Sequence, residues 1–143
     1  MPATRNAEVV WEKDLLHGNG KVRVGSEALP VFGVTWASRV EKPSGKTSPE
    51  ELLAAAQAAC YAMALSSTLT RKGSVPEKLT VKAECDFDNA ALKIRNMRIS
   101  VVGQVPGLNL QDFRNAAAEA EKICPVANAI RNNVEISLTA NLG

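Results

Sequence analysis

The chain has 143 residues, 45% of them hydrophobic and 22% charged, with a formal net charge of +2, three cysteines and a single histidine, His17. That length reads as one domain, residues 1–143, able to bury roughly 68–70% of its unfolded surface. The charge is too small and too scattered to draw a nucleic-acid footprint, no tract reads as a bilayer span, and three cysteines without a CxxC pair supply no standard four-ligand zinc site.

The amino-terminal run MPATRNAEVVWEKD has neither the apolar core nor the small-residue cleavage site of a secretory signal, so the expected compartment is cytoplasmic, where thiols start reduced. Glu8 to Lys13, Lys21 to Val24 and Leu29 to Trp36 are β-prone and separated by the turn sequences HGNG and GSEA, which predicts a β-meander. His17 falls in the first of these turns and reads as an exposed loop residue. Residues 39–47 are polar, contain Pro43 and Gly45, and read as a loop.

A helix start follows. Ser48 is placed to be the N-cap, Pro49 fits the first helical position, and Glu51 completes a capping-box pattern. From Leu52 to Leu69 the sequence is almost entirely Ala, Leu, Cys, Met and Tyr, which marks a helix buried in a core or against a second subunit. Arg71, Lys72 and Gly73 supply the carboxyl-end cations and a C-cap.

In LTVKAECDFD, Leu79, Val81, Ala83, Cys85 and Phe87 alternate with polar residues, the pattern of a half-buried strand. After a turn near Asn89-Ala90 the alternation resumes at Leu92 and Ile94. It changes phase at Met97, Ile99 and Val101, which predicts a hairpin with a bulge at Arg95-Asn96. Asn109 to Ile123 reads as a helix facing the core with Leu110, Phe113, Ala117 and Ala120. Pro125 restarts a helix to about Arg131, and Val134 to Leu142 alternates as a last strand. The fold class is α+β.

The cysteines are the candidates for chemistry. Free cysteine is among the most buried residue types, so Cys60, in the middle of the most apolar helix, and Cys85, on a strand's apolar face, both read first as small hydrophobes. Cys124 precedes Pro125 at a helix start, where unpaired amides and the helix dipole favour a thiolate. A reactive thiol also needs a cation. Arg39, just before the central helix, is a candidate by position, with Glu50 available to clamp it; their plainer reading is a solvated loop charge and a helix-dipole carboxylate.

Together, TSPEELLAAAQAACYAMALS at 47–66 and CPVANAI at 124–130 resemble the OsmC/Ohr family of thiol peroxidases (osmotically inducible protein C and organic hydroperoxide resistance proteins), closer to the OsmC branch. The resemblance implies antiparallel sheets around a long buried central helix in an intertwined homodimer, with no metal or prosthetic group. It implies that Cys60 attacks the peroxide, that Cys124 resolves the product as a disulfide, and that Arg39, held by Glu50, activates the thiol. It further implies an organic hydroperoxide substrate and a thiol reductant, a dihydrolipoyl protein being one candidate. One departure stands out: Gln57 occupies a position where that branch commonly has histidine. Ten residues separate Glu50 from Cys60 on one predicted helix, about 15 Å at roughly 1.5 Å per residue. The site is therefore expected to be shared between two chains. A non-catalytic protein of the same fold, binding a small apolar ligand or sensing redox state, is the alternative.

Overall fold

The computed structural model describes residues 2–143, which form two compact units that divide between Leu52 and Leu53. In the first unit, β1 (Ala7–Glu12), β2 (Asn19–Val24) and β3 (Phe32–Val34) make the expected antiparallel meander. His17 is exposed in the β1–β2 turn, its Nδ1 3.0 Å from Asp14 Oδ1. Val22 is buried, whereas Val9, Val10, Trp11, Leu29 and Val31 keep much of their surface exposed within the chain.

The third strand is shorter than the β-prone run. It stops because Thr35 turns the chain into α1 (Trp36–Val40): its hydroxyl accepts from the Ser38 amide while Ser38 Oγ accepts from the Thr35 amide, a reciprocal cap. Arg39 thus stands on a short helix and not on the loop expected from the polar run that follows it.

α2 (Pro49–Arg71) begins and ends where its signals lie. Ser48 Oγ accepts from the Glu51 amide at 3.1 Å, but the Glu51 carboxylate takes the Thr47 hydroxyl at 2.7 Å, so only one half of the expected capping box forms. At the far end Gly73, with φ +86°, lets its own amide reach the Thr70 carbonyl and the Ser74 amide the Leu69 carbonyl, closing the helix by a Schellman motif. By length and composition α2 could cross a membrane, contrary to the expectation that no tract is long enough. Its stripe Gln57, Tyr61, Ala64, Leu65, Thr68 and Leu69 is nevertheless buried in the second unit, the spacing of a core helix. Ala55, Ala56, Ala59 and Met63 are exposed.

The second unit is built on a one-sided sheet. β4 (Lys78–Asp88) pairs antiparallel with β5 (Lys93–Gln104), and β5 pairs parallel with β6 (Glu135–Leu142). The sheet is therefore mixed. The registers align Cys85, Met97 and Ile136; Ala83, Ile99 and Leu138; Val81, Val101 and Ala140; and Leu79, Gly103 and Leu142 in successive rows on one face. Two residues of β5, Arg95 and Asn96, lie between the partners of Cys85 and Phe87 where one would be regular, so Arg95-Asn96 bulges as expected, and Asn96 Nδ2 donates to Asp86. Leu92, expected in the strand, lies in the turn at φ +53° with its side chain exposed.

α3 (Leu110–Ile123) buries Phe113, Ala116, Ala117 and Ala120, with Asn109 as N-cap; Leu110, expected in the core, is exposed. The Phe113 ring presses on Gly103, where a Cβ would stand 2.6 Å from two ring atoms. α4 (Pro125–Ile130) follows after Cys124 alone.

Candidate active site

The second unit brings together three side chains and one backbone donor from α2 and the start of α4. Gln57 and Cys60 are three residues apart on α2 and share a helix face. Cys124 is the residue between α3 and α4, and its Sγ accepts a hydrogen bond from Gln57 Nε2 at 3.3 Å. Cys60 lies near enough to Cys124 and to the backbone N–H of Val126 for both to act on the ionisation of its thiol. No disulfide joins Cys60 to Cys124, and none involves Cys85.

The donor arrangement differs from the one expected of a Cys-Pro helix start. Cys124 is the N-cap of α4 by position, yet its side chain makes no capping hydrogen bond. The amide at the second helical position, that of Val126, is instead near enough to Cys60 to favour its thiolate.

Burial separates the two sulfurs. Cys124 is fully enclosed and Cys60 is half-buried. Burial pushes the Cys60 thiol above its ordinary value of 9.0, and the hydrogen bond and charge of Cys124 push it the same way, while the Val126 N–H pulls it down. Nothing in this cluster carries a positive charge, so on its own it holds Cys60 as a thiol.

Gln57 is fully buried, and its Oε1 has no partner among the described residues. Sequence reasoning marked it only as a departure from a family pattern. A glutamine in an alanine-rich helix, three residues before a cysteine, was the available signal. Tyr61, four residues after Gln57 on α2, is fully buried and donates from its hydroxyl to the Ala117 carbonyl at 2.9 Å; burial raises its phenol well above the ordinary range. Cys85 stands on the apolar face of β4 opposite Met97.

The other two candidates meet in the first unit. Arg39 Nε donates to both Glu50 carboxylate oxygens at 3.0 and 3.2 Å, and Nη2 donates to Oε1 at 2.7 Å. The Glu50 side chain is 8% exposed and that of Arg39 28%. The guanidinium carbon also lies 5.9 Å from the Trp36 ring centroid. A forked pair of this kind fixes a guanidinium in direction as well as position, which a loose surface charge does not.

A family model described as OsmC-like protein matches residues 42–139. The chain is 30% identical over 138 residues to the peroxiredoxin OsmC of Escherichia coli (strain K12), covering 95% of this chain and 96% of that protein. It is 28% identical over 102 residues to an organic hydroperoxide resistance protein of Xanthomonas axonopodis pv. citri, covering 65% of this chain and 66% of that one. Among solved structures, an organic hydroperoxide resistance protein from Elizabethkingia anophelis shares the fold with a TM-score of 0.78 at 23% identity, covering 100% of this chain and 99% of that one.

Proposed function

The chain belongs to the OsmC-like family, and on that footing we propose that it is a two-cysteine peroxidase reducing organic hydroperoxides to alcohols in stress defence. Relatives named as a peroxiredoxin and as organic hydroperoxide resistance proteins support a peroxide-related redox function. The observation that supports the finer reading is the clustering of Cys60 and Cys124 about Gln57: Gln57 bonds Cys124 and stands three residues before Cys60 on α2, and Cys124 and the Val126 N–H are close enough to shift the more exposed Cys60 thiol.

In the first step the Cys60 thiolate attacks the distal peroxide oxygen. The O–O bond breaks, the alkoxide leaves and takes a proton to become alcohol, and Cys60 becomes a sulfenic acid. The Cys124 thiolate then attacks the sulfenic sulfur, forming the disulfide and releasing hydroxide, which leaves as water. Two electrons from an external dithiol restore both cysteines, a dihydrolipoyl group on a carrier protein being a suitable donor.

The cation that the thiol cluster lacks is assigned to Arg39, oriented by Glu50, and this assignment requires a homodimer in which one chain's pair serves the partner's Cys60. Two features support the dimer. The exposed stripe Ala55, Ala56, Ala59 and Met63 gives α2 a second apolar face, and the first unit leaves Val9, Val10, Trp11 and Val31 uncovered within one chain. An apolar pocket beside α2 would favour alkyl chains over hydrogen peroxide by roughly 0.8 kcal/mol per buried methylene. We assign the reaction to the cytoplasm, whose reducing poise keeps the thiols ready.

The test is steady-state oxidation of dihydrolipoamide driven by cumene hydroperoxide. Turnover is expected from the wild type and is expected to vanish in Cys60→Ser. Equal rates in the two proteins would remove the peroxidase reading, and formation of the disulfide without turnover would favour a redox sensor.

A further inference from the structure

We propose that Gln57 is a positioning residue for the resolving cysteine: by donating to Cys124 Sγ it makes Cys124 the leaving sulfur when a dithiol opens the Cys60–Cys124 bond, so that the transient mixed disulfide forms on Cys60. This inference rests on the two-cysteine reading above.

Three observations converge on it. First, Gln57 is fully buried in a helix turn otherwise made of alanine, and its Oε1 has no partner among the described residues. Burying an amide that is half satisfied is costly, whereas leucine or methionine would fill the same space without an unpaired oxygen. Second, its one hydrogen bond is to the Cys124 sulfur, at 3.3 Å. An amide N–H stabilises a sulfur most when that sulfur carries charge, which for Cys124 is the moment the disulfide opens. Third, access is one-sided. Cys124 is enclosed and Cys60 half-buried, so an incoming sulfur reaches Cys60.

The step balances as follows. One thiolate of the dithiol attacks Cys60 Sγ, a new S–S bond forms there, and the electron pair of the Cys60–Cys124 bond leaves on Cys124 Sγ, which the Gln57 N–H holds. The second thiolate of the same dithiol then attacks its partner sulfur in the mixed disulfide. Cys60 leaves as thiolate, favoured by the nearby Val126 N–H, and the reductant departs as a cyclic disulfide. Two electrons have passed to the protein, and the two protons of the dithiol are released. The two donors thus act in sequence, side chain on Cys124 and backbone on Cys60. Turning the Gln57 amide over would let Oε1 accept from a Cys124 thiol once it is protonated, so the same residue serves both states without titrating.

The test uses full-length protein oxidised by one equivalent of cumene hydroperoxide and then mixed with glutathione, a monothiol that stops at the mixed disulfide. After rapid acid quench, peptide mapping locates the adduct. In wild type, glutathione is expected on Cys60 with Cys124 free. In Gln57→Leu and Gln57→Glu, opening is expected to slow on the order of tenfold, the loss of one charge-assisted hydrogen bond, and the adduct to spread over both cysteines. A purely structural role would not move that partition. Should either variant fail to fold, Gln57→Met gives the same comparison. Glutathione on Cys124 in wild type, or an unchanged rate and partition in the variants, would overturn the inference while leaving the peroxidase reading intact. If peroxide forms no Cys60–Cys124 disulfide at all, that reading fails and the inference with it.

Discussion

Replacing Arg39 with methionine keeps most of the side-chain volume and removes the charge. Within one chain, burial and Cys124 raise the Cys60 thiol above 9.0. A thiol at that ordinary value is already only about 1% ionised at pH 7. A guanidinium brought close to it in the dimer lowers a thiol by about 1–3 units, so its removal should cut the thiolate population at neutral pH by roughly 10- to 1,000-fold. The assay is the pH dependence of Cys60 alkylation by iodoacetamide, followed by mass spectrometry of the Cys60 peptide from pH 6 to 10. The wild-type profile is expected to level off below 9.0 and the Arg39→Met profile to rise through and beyond it. Because Glu50 is nearly buried against Arg39, the single variant strands a carboxylate, so Arg39→Met/Glu50→Gln is the control that removes both charges together. Superimposable profiles in folded wild type and double variant would refute the assignment of Arg39 to the thiol.

Co-refolding Arg39→Ala with Cys60→Ser chains should restore activity at one site of the heterodimer, measured as cumene hydroperoxide consumption, although each homodimer is inactive. Gly103→Ala should overpack the Phe113 ring, which a Cβ would meet at 2.6 Å, at about 1–3 kcal/mol, and thermal melts should fall on the order of 5 °C. Adding Phe113→Leu should recover part of that loss. Asp86, held at about 2 by the Arg98 and Asn96 hydrogen bonds, contributes stability that is present above the ordinary value of 3.8 and lost as pH falls through about 2. In Arg98→Met the Asp86 carboxyl should titrate nearer 3.8 by NMR.

What could be read from the sequence was local. The start and Gly73 end of α2 follow from side chains within a few residues of each terminus, and the bulge at Arg95-Asn96 follows from one change of alternation phase. The short α1 was hidden because its β-prone flank runs straight into it. The signal was the Thr35/Ser38 pair, which closes a reciprocal cap. Long-range partners were beyond local patterns: the parallel pairing of β5 with β6, and the Gln57–Cys124 bond across 67 residues. The Cys-Pro motif correctly marked a helix start with spare amides. Which thiol such an amide influences depends on tertiary packing, and the Val126 N–H lies near enough to Cys60 to favour its thiolate.

The most direct measurement is a count of free thiols after one equivalent of cumene hydroperoxide, with the oxidised peptides mapped. The chain starts with three, and two are expected to disappear as a Cys60–Cys124 disulfide, leaving Cys85 reduced, with all three returning on addition of dihydrolipoamide. Loss of a single thiol, a dominant disulfide involving Cys85, or no loss at all would contradict the two-cysteine cycle.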